Sequence, residues 1–434
     1  MRKRMLIIVI CLCSLAVLLT STYCVLRFGF GIDFLDQSRW VEKDGSTIYL
    51  SYFGRPVSGW YEVDGCRFYF DPDTGALVTG WLEQDGKKYY IDLEGGMRTG
   101  WTQIDGKRYY FSPDGVMATG WLTLGEKRYY LDEKGVALTG WQDINGQRYY
   151  LNEESALHSG WLVLSDGCYY VNTEGIAISG WMTGPAGKYF FREDGRMATK
   201  WQEVEGKYYY FRENGLMYTG WLELEGHRYY LKPDGSRAVG EVMINGVSNF
   251  FTSTGKYVLM VNRWHLMPEG YTPELVDLDG FLVDPICRDA LKAMILDCRA
   301  DGYSCYINNT YRSTKTQQYM WDVRLEQRMA AGMTYDEAVE YTARSLAFVG
   351  ASEHHLGLAV DINGSNGMYD WLAEHCLDYG FILRYPPDRF EITGIIYEPW
   401  HFRYVGVELA KELQELDMCM EEYMQWLTES QQAK

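Results

Sequence analysis

GWLEQDGKKYYIDLEGGMRT, Gly80–Thr99, holds two short strand-like runs around one turn signal. Trp81 to Glu83 is the first run, Asp85-Gly86 is a hairpin-turn pair, and Lys87 to Asp92 is a second run rich in aromatics. Near Gly95 another glycine turns the chain into its next stretch, and there the pattern starts again. Tryptophans stand at Trp60, Trp81, Trp101, Trp121, Trp141, Trp161, Trp181, Trp201 and Trp221, almost always after glycine, in a GW-x4-G-x2-YY register. A hairpin this short cannot bury its own aromatic face, so successive hairpins must stack. An elongated β-solenoid of twenty-residue hairpin repeats is expected over residues 36–257. Its Tyr-Tyr pairs supply the core that short strands lack. The candidate ligand faces lie between units, where Trp81, Trp101, Trp121, Trp141, Trp161, Trp181, Trp201 and Trp221 meet a neighbour's tyrosine.

At 434 residues the chain is too long for one ordinary core, and it is multidomain by composition. The opening MRKRM is followed by an apolar run from Leu6 to Leu26. That run is long enough for a helix to cross the ~30 Å of bilayer hydrocarbon. Basic residues on its N-terminal flank place that end in the cytoplasm and the rest of the chain outside. With no small-x-small cleavage site apparent, residues 1–30 read as an uncleaved membrane anchor in preference to a signal segment. A formal charge of −18 argues against nucleic acid as a partner. Seven of the ten cysteines fall outside the apolar run, and none forms a CxxC pair; a disulfide among Cys287, Cys298 and Cys305 stays open.

Past Tyr257 the period stops. Cys287 to Arg299 shows helical spacing, YSCYINN alternates like a strand, and TKTQQYMWDVRLEQRMAAG reads as a helix stopped at Gly332. Thr334 to Arg344 reads as another helix, with Glu337 at capping-box distance from Thr334. These elements predict an α+β domain over 258–425. Its ionisable groups cluster in ASEHHLGLAVDI (Ala351–Ile362) and YEPWHFRY (Tyr397–Tyr404). His354, Asp361 and His401 make up the three protein ligands of a catalytic zinc site, and Glu398 is placed to act as base. Taken singly, each is equally what a hydrogen-bonded core or surface residue shows.

Two resemblances join these readings. The repeats resemble the cell-wall-binding repeats of Gram-positive surface proteins, which include choline-binding modules. They depart from the choline-binding pattern before the Tyr-Tyr pair, where Lys88, Arg108, Arg128, Arg148, Cys168, Lys188, Tyr208 and Arg228 replace a cage tryptophan. From about Val261 to Gly406 the chain resembles the VanY-type D-alanyl-D-alanine carboxypeptidases. Their SxHxxGxAxD motif is matched by Ser352, His354, Gly357, Ala359 and Asp361, their ExxH by Glu398 and His401, and their YRSxxxQ by Tyr311, Arg312, Ser313 and Gln317. His355 stands where that family commonly has glutamine, and is read as a surface or supporting residue.

This resemblance implies a Zn2+-dependent D,D-carboxypeptidase that trims peptidoglycan stem peptides. Glu398 would be its base, Arg312 its oxyanion stabiliser, and Ser352, Gln317 and Ser313 its substrate contacts. An L,D-carboxypeptidase, a peptidoglycan endopeptidase or an inert wall adhesin are the alternatives. The implied setting is the outer face of the membrane and the wall of a Gram-positive-type bacterium. There the repeats would hold a polysaccharide or teichoic polymer, and the N-terminal helix would meet the membrane.

Overall fold

In a computed structural model, residues 39–92, 94 and 96–432 are described. The expected membrane anchor over 1–30 lies outside them; among the described residues no helix is long and apolar enough to cross a membrane.

Each repeat is one antiparallel hairpin, as in Gly80–Gln84 with Lys87–Asp92. The loop pairs Asp64-Gly65, Asp85-Gly86 and Asp105-Gly106 all have positive φ. Two consecutive left-handed residues make the turn whose twist matches that of the strands, which is why Asp-Gly recurs there. Trp81 lies directly opposite Tyr90 and meets it edge-to-face at 5.3 Å. It also meets Tyr109 of the following hairpin at 5.0 Å. Trp101 repeats this with Tyr110 and Tyr129, and Trp121 with Tyr130 and Tyr149. Such pairs contribute about 0.5–1.5 kcal/mol each beyond area burial. The residue after each aromatic pair, as in Phe70, Ile91, Phe111, Leu131 and Leu151, is fully buried. Backbone bonds tie hairpin to hairpin, as from Met117 N–H to the Lys88 carbonyl and from Ala137 N–H to the Arg108 carbonyl.

The chain divides into two compact units. One runs to Gly180 and takes in Phe191–Met197; the other holds Trp181–Phe190 and everything from Ala198 onward. The second unit thus contains the last repeats and the C-terminal α+β fold. Its helices and main-sheet strands are α1 (Pro285–Ala300), β1 (Cys305–Asn309), α2 (Thr314–Ala330), α3 (Tyr335–Ala343), β2 (Ala359–Gly364), α4 (Met368–His375), β3 (Phe381–Leu383), α5 (Phe390–Thr393), β4 (His401–Tyr404), α6 (Val407–Glu415) and α7 (Met420–Gln432). The strands form an antiparallel sheet in the order β1-β2-β4-β3. Residues of α1, α4 and the sheet share one core that includes Leu291, Met294, Ile362, Leu372 and Phe402. A second core packs Phe250 of the last repeat and Met260 against Leu409, Leu413, Tyr423 and Leu427 of α6 and α7.

The cysteines from Cys66 to Cys419 are free thiols, so the disulfide left open among Cys287, Cys298 and Cys305 is not formed. The capping box at α3 is present as read, with Thr334 and Glu337 bonding reciprocally.

Candidate metal centre and active site

His354 stands in the one-turn 3-10 helix Glu353–Leu356, one of two in this domain, which Gly357 closes with φ 73°. A Cβ on Gly357 would come within 2.9 Å of the Asp284 backbone nitrogen, so glycine is required there on two counts. The turn therefore seats tightly before β2, which carries Asp361. Across the sheet Asp361 lies opposite Asn309 of β1 on one side and His401 of β4 on the other. One pleat row thus brings together residues far apart in sequence.

The tautomers follow from the partners. His354 Nδ1 lies 2.6 Å from the Thr310 carbonyl, to which it donates, leaving Nε2 turned toward Asp361 Oδ2 at 3.3 Å. His401 turns Nδ1 inward, 3.1 Å from Asp361 Oδ1 and 3.8 Å from Glu398 Oε2. One donor atom from each of His354, Asp361 and His401 lies within 4.8 Å of the other two, and all three residues are buried. Two imidazole nitrogens and a carboxylate oxygen converging in this way fit a divalent ion that keeps a coordination position open.

The charges are set by their surroundings. Burial would raise the Asp361 carboxyl, but the two imidazoles beside it outweigh burial and hold the group well below the usual carboxylate range. Burial pushes Glu398 up to about 7, against the pull of His401 and Arg312 and with the charge of Asp361 adding to the rise. A carboxylate poised there exchanges protons at neutral pH. Arg312 places Nη2 3.7 Å from Asp361 Oδ2. These groups face a cavity of about 470 Å³, whose lining includes Asn309, Arg312, Ser352, Asp361, Glu398 and Trp400.

Not every residue read as a substrate contact reaches that cavity. Gln317 is fully buried; its Oε1 accepts from Arg312 Nη1 at 2.9 Å and its Nε2 donates to the Ala347 carbonyl at 2.6 Å. It aims the guanidinium and does not line the cleft. Ser313 caps α2, its hydroxyl accepting from Thr316 N–H. Ser352 does line the cleft. His355 is buried, which excludes the surface reading, and its Nδ1 lies 2.6 Å from the Arg312 carbonyl. Tyr385, Asn309 and Glu353 were given no role by sequence. Tyr385 packs on the His401 ring at 4.9 Å, and Asn309 Nδ2 donates to Asp361 Oδ2 at 3.2 Å.

Of the nine tryptophans from Trp60 to Trp221, eight fall into two groups, while Trp201 has the guanidinium carbon of Arg237 5.8 Å from its ring centroid. Guanidinium carbons lie over their rings at Arg67–Trp60, Arg108–Trp101, Arg128–Trp121, Arg148–Trp141 and Arg228–Trp221, 3.9 to 4.8 Å from the centroids. Arg108 and Arg148 also reach forward to the carbonyls of Glu154 and Asp194. Trp81, Trp161 and Trp181, whose units carry Lys88, Cys168 and Lys188 instead, are 43%, 45% and 42% exposed. A planar guanidinium stacks flat on an indole more readily than a compact, strongly hydrated ammonium.

Residues 281–407 match the VanY family, described as D-alanyl-D-alanine carboxypeptidase. Residues 98–136 and 198–241 match the choline-binding repeat, and 79–97 and 139–154 match a putative cell wall binding repeat. The chain therefore joins a VanY-type domain to repeats of the choline-binding and cell-wall-binding kind. A D-alanyl-D-alanine carboxypeptidase of Enterococcus faecalis is 40% identical over 174 residues, which are 38% of this chain and 65% of that protein. Putative carboxypeptidase YodJ of Bacillus subtilis is 32% identical over 189 residues, 38% of this chain and 66% of that one. The chain thus spans just under two thirds of the length of these relatives. A mutant of the vancomycin resistance D,D-pentapeptidase VanY from a VanB-type cassette, solved in complex with Zn(II), is 39% identical over 38% of this chain and 97% of that one, with a TM-score of 0.37.

Proposed function

We propose that this chain is a zinc-dependent D-alanyl-D-alanine carboxypeptidase that trims peptidoglycan stem peptides and is held at the wall by its repeats. The observation that carries the reading is the convergence of His354, Asp361 and His401 beside Glu398 on one cleft. Zinc bound by the three would polarise the scissile carbonyl and make water acidic enough to attack near neutral pH. Glu398, up at about 7, takes the proton of the attacking water and returns it to the leaving amine. Arg312, aimed by Gln317, stabilises negative charge developing on the carbonyl oxygen. Asn309 and Thr310 fix the orientation of the Asp361 and His354 donors. Ser352 borders the same cleft and is suited to contact the substrate.

For the repeats, the exposed indoles of Trp81, Trp161 and Trp181 support stacking on the sugars of a wall polysaccharide. The Arg-covered indoles support poor choline binding, because a cation already occupies the face that a quaternary ammonium needs. The apolar run from Leu6 to Leu26 supports a membrane-anchored enzyme on the outer face of a Gram-positive-type cell.

The test is to incubate the zinc-loaded chain with stem pentapeptides ending in D-Ala-D-Ala, with tetrapeptides and with cross-linked dimers, and to weigh the products. Loss of one alanine from the pentapeptide alone is expected. Cleavage of the tetrapeptide alone would make it an L,D-carboxypeptidase, cleavage of the dimer an endopeptidase, and no cleavage an adhesin.

A further inference from the structure

Behind the metal centre lies a buried ionic chain that the catalytic reading does not use. Glu353, next to His354 in sequence, is 1% exposed. Its Oε1 accepts from Arg384 Nε at 2.9 Å and lies 3.0 Å from Arg403 Nη1. Both arginines are 1% exposed. Arg384 extends to Glu421 of α7 through Nη1 and Nη2, at 3.0 and 2.6 Å, and Glu421 also accepts from Asn262 Nδ2 at 3.0 Å. Arg403 donates from Nη2 to the Leu259 carbonyl at 2.8 Å. Two positive and two negative groups are thus matched in the interior, as buried charges must be.

Besides Arg403 Nη1, which is buried and makes no hydrogen bond, one pair beside this chain is incomplete. Glu353 Oε2 and His401 Nε2 are both buried, both lack a hydrogen-bond partner, and face each other across 3.9 Å. The other ring nitrogen of His401 is the one turned toward Asp361 and the cleft. An approach of under about 1 Å would bring the two atoms to hydrogen-bond distance.

We propose that Glu353 is a positioning residue that accepts the Nε2 proton of His401 and thereby fixes this imidazole as an Nδ1 metal ligand. The proposal rests on the metal reading above. Two guanidiniums keep Glu353 in its acceptor form and hold its carboxylate in place, so His401 can keep only the tautomer whose Nδ1 lone pair is free for the ion. A carboxylate behind a ligating imidazole also makes the ligand a stronger donor. The frame that holds Glu353 reaches outside the 281–407 match, to Leu259 and Asn262 on one side and Glu421 on the other.

The experiment uses the full chain. Zinc affinity is measured by chelator competition, and the visible spectrum is recorded for the cobalt-substituted protein, in wild type, Glu353→Gln, Glu353→Asp and Glu421→Gln. Glu353→Gln should weaken zinc binding by about 10–100-fold and shift the cobalt bands, with partial recovery in Glu353→Asp. Glu421→Gln also cuts the Arg384 network but does not touch His401, so it should lower the melting temperature while zinc affinity stays within about threefold. A folded Glu353→Gln with wild-type affinity and cobalt spectrum would overturn the proposal, as would an equal loss in Glu421→Gln. Should the Glu353 variants fail to fold, nitrogen-15 spectra of zinc-loaded wild type decide: Nε2 of His401 should carry a hydrogen-bonded proton, and an unprotonated or metal-bound Nε2 refutes the idea. A wild-type chain that takes up no divalent metal overturns both readings, whereas one that binds zinc but leaves stem peptides intact counts against the activity alone.

Discussion

Arginine does opposite work in the two regions of this molecule. In the repeats Arg108 lies half-buried on the face of Trp101, one of five similar stacks. In the C-terminal domain Arg384 is buried between Glu353 and Glu421. The first setting is repeated and open to solvent, so losing one member leaves its neighbours in place. The second is unique, and removing one partner strands a charge in the interior. Near-identical units share their stability among many weak contacts, whereas the C-terminal α+β fold places it in a few connected groups.

The largest expected effect tests the singular region. His401→Ala or His354→Ala should strip the metal and reduce peptide hydrolysis to background; full zinc occupancy by elemental analysis in either variant would sink the ligand assignment. Next comes Glu398→Gln, which should retain zinc while kcat/KM falls by about 10²–10⁴. In the wild type the acid limb of kcat/KM follows the same group. Glu398 must be ionised to act as base, so activity is lost as pH falls through its pKa. With burial holding that value up at about 7, and a cation in the triad able only to lower it, the limb should fall at or below pH 7. A limb well above 7 would assign it to another residue.

The direct comparison follows. Arg384→Met should cost about 3–5 kcal/mol by taking from Glu421 its ion-pair partner and leaving buried Glu353 with Arg403 alone. Arg108→Met should cost no more than about 1 kcal/mol, the scale of an exposed cation–π contact. Equal shifts in urea unfolding would erase the distinction between the two regions. The smallest effect concerns wall binding. Lys88→Arg and Lys188→Arg together should cover two exposed indoles and lower retention on purified walls severalfold, whereas Arg108→Ala, which uncovers Trp101, should not lower it. Specific release of the wild type by free choline would show that the stacked arginines give way to a quaternary ammonium.

Sequence made the repeat legible because its signals are local: a turn pair, two runs and a tryptophan, recurring every twenty residues. The capping box at Thr334 was legible for the same reason. The metal-ligand candidates could be picked out by chemistry and resemblance. Their meeting was legible only through that chemistry and resemblance, because the pairing of Asp361 with His401 depends on the strand order β1-β2-β4-β3, which no local signal encodes. Motif spacing also does not say which way a side chain turns, which is why Gln317 and Ser313 read as substrate contacts although one aims Arg312 and the other caps a helix. Glu353 belongs to no motif, yet a signal for it exists. FILRYP and WHFRYV each set an arginine in an apolar run, and an arginine buried there needs a carboxylate partner. The partners were beyond reach of sequence because they come from a 3-10 turn and from α7.

The packing of Phe250 and Met260 against α6 and α7 bears on how such a chain can be assembled by exchange of gene segments. Glu241 N–H donates to Thr428 Oγ1, and Ser253 N–H to the Tyr423 hydroxyl, so the final hairpin serves as a wall of the C-terminal domain. A recombination that cut at the end of the repeats would strip that wall and uncover Tyr423, Met424 and Leu427. A crossover between two earlier repeats would join like to like and leave the wall intact. By this packing, repeats could be gained or lost upstream, whereas the last one would have to stay with the C-terminal domain.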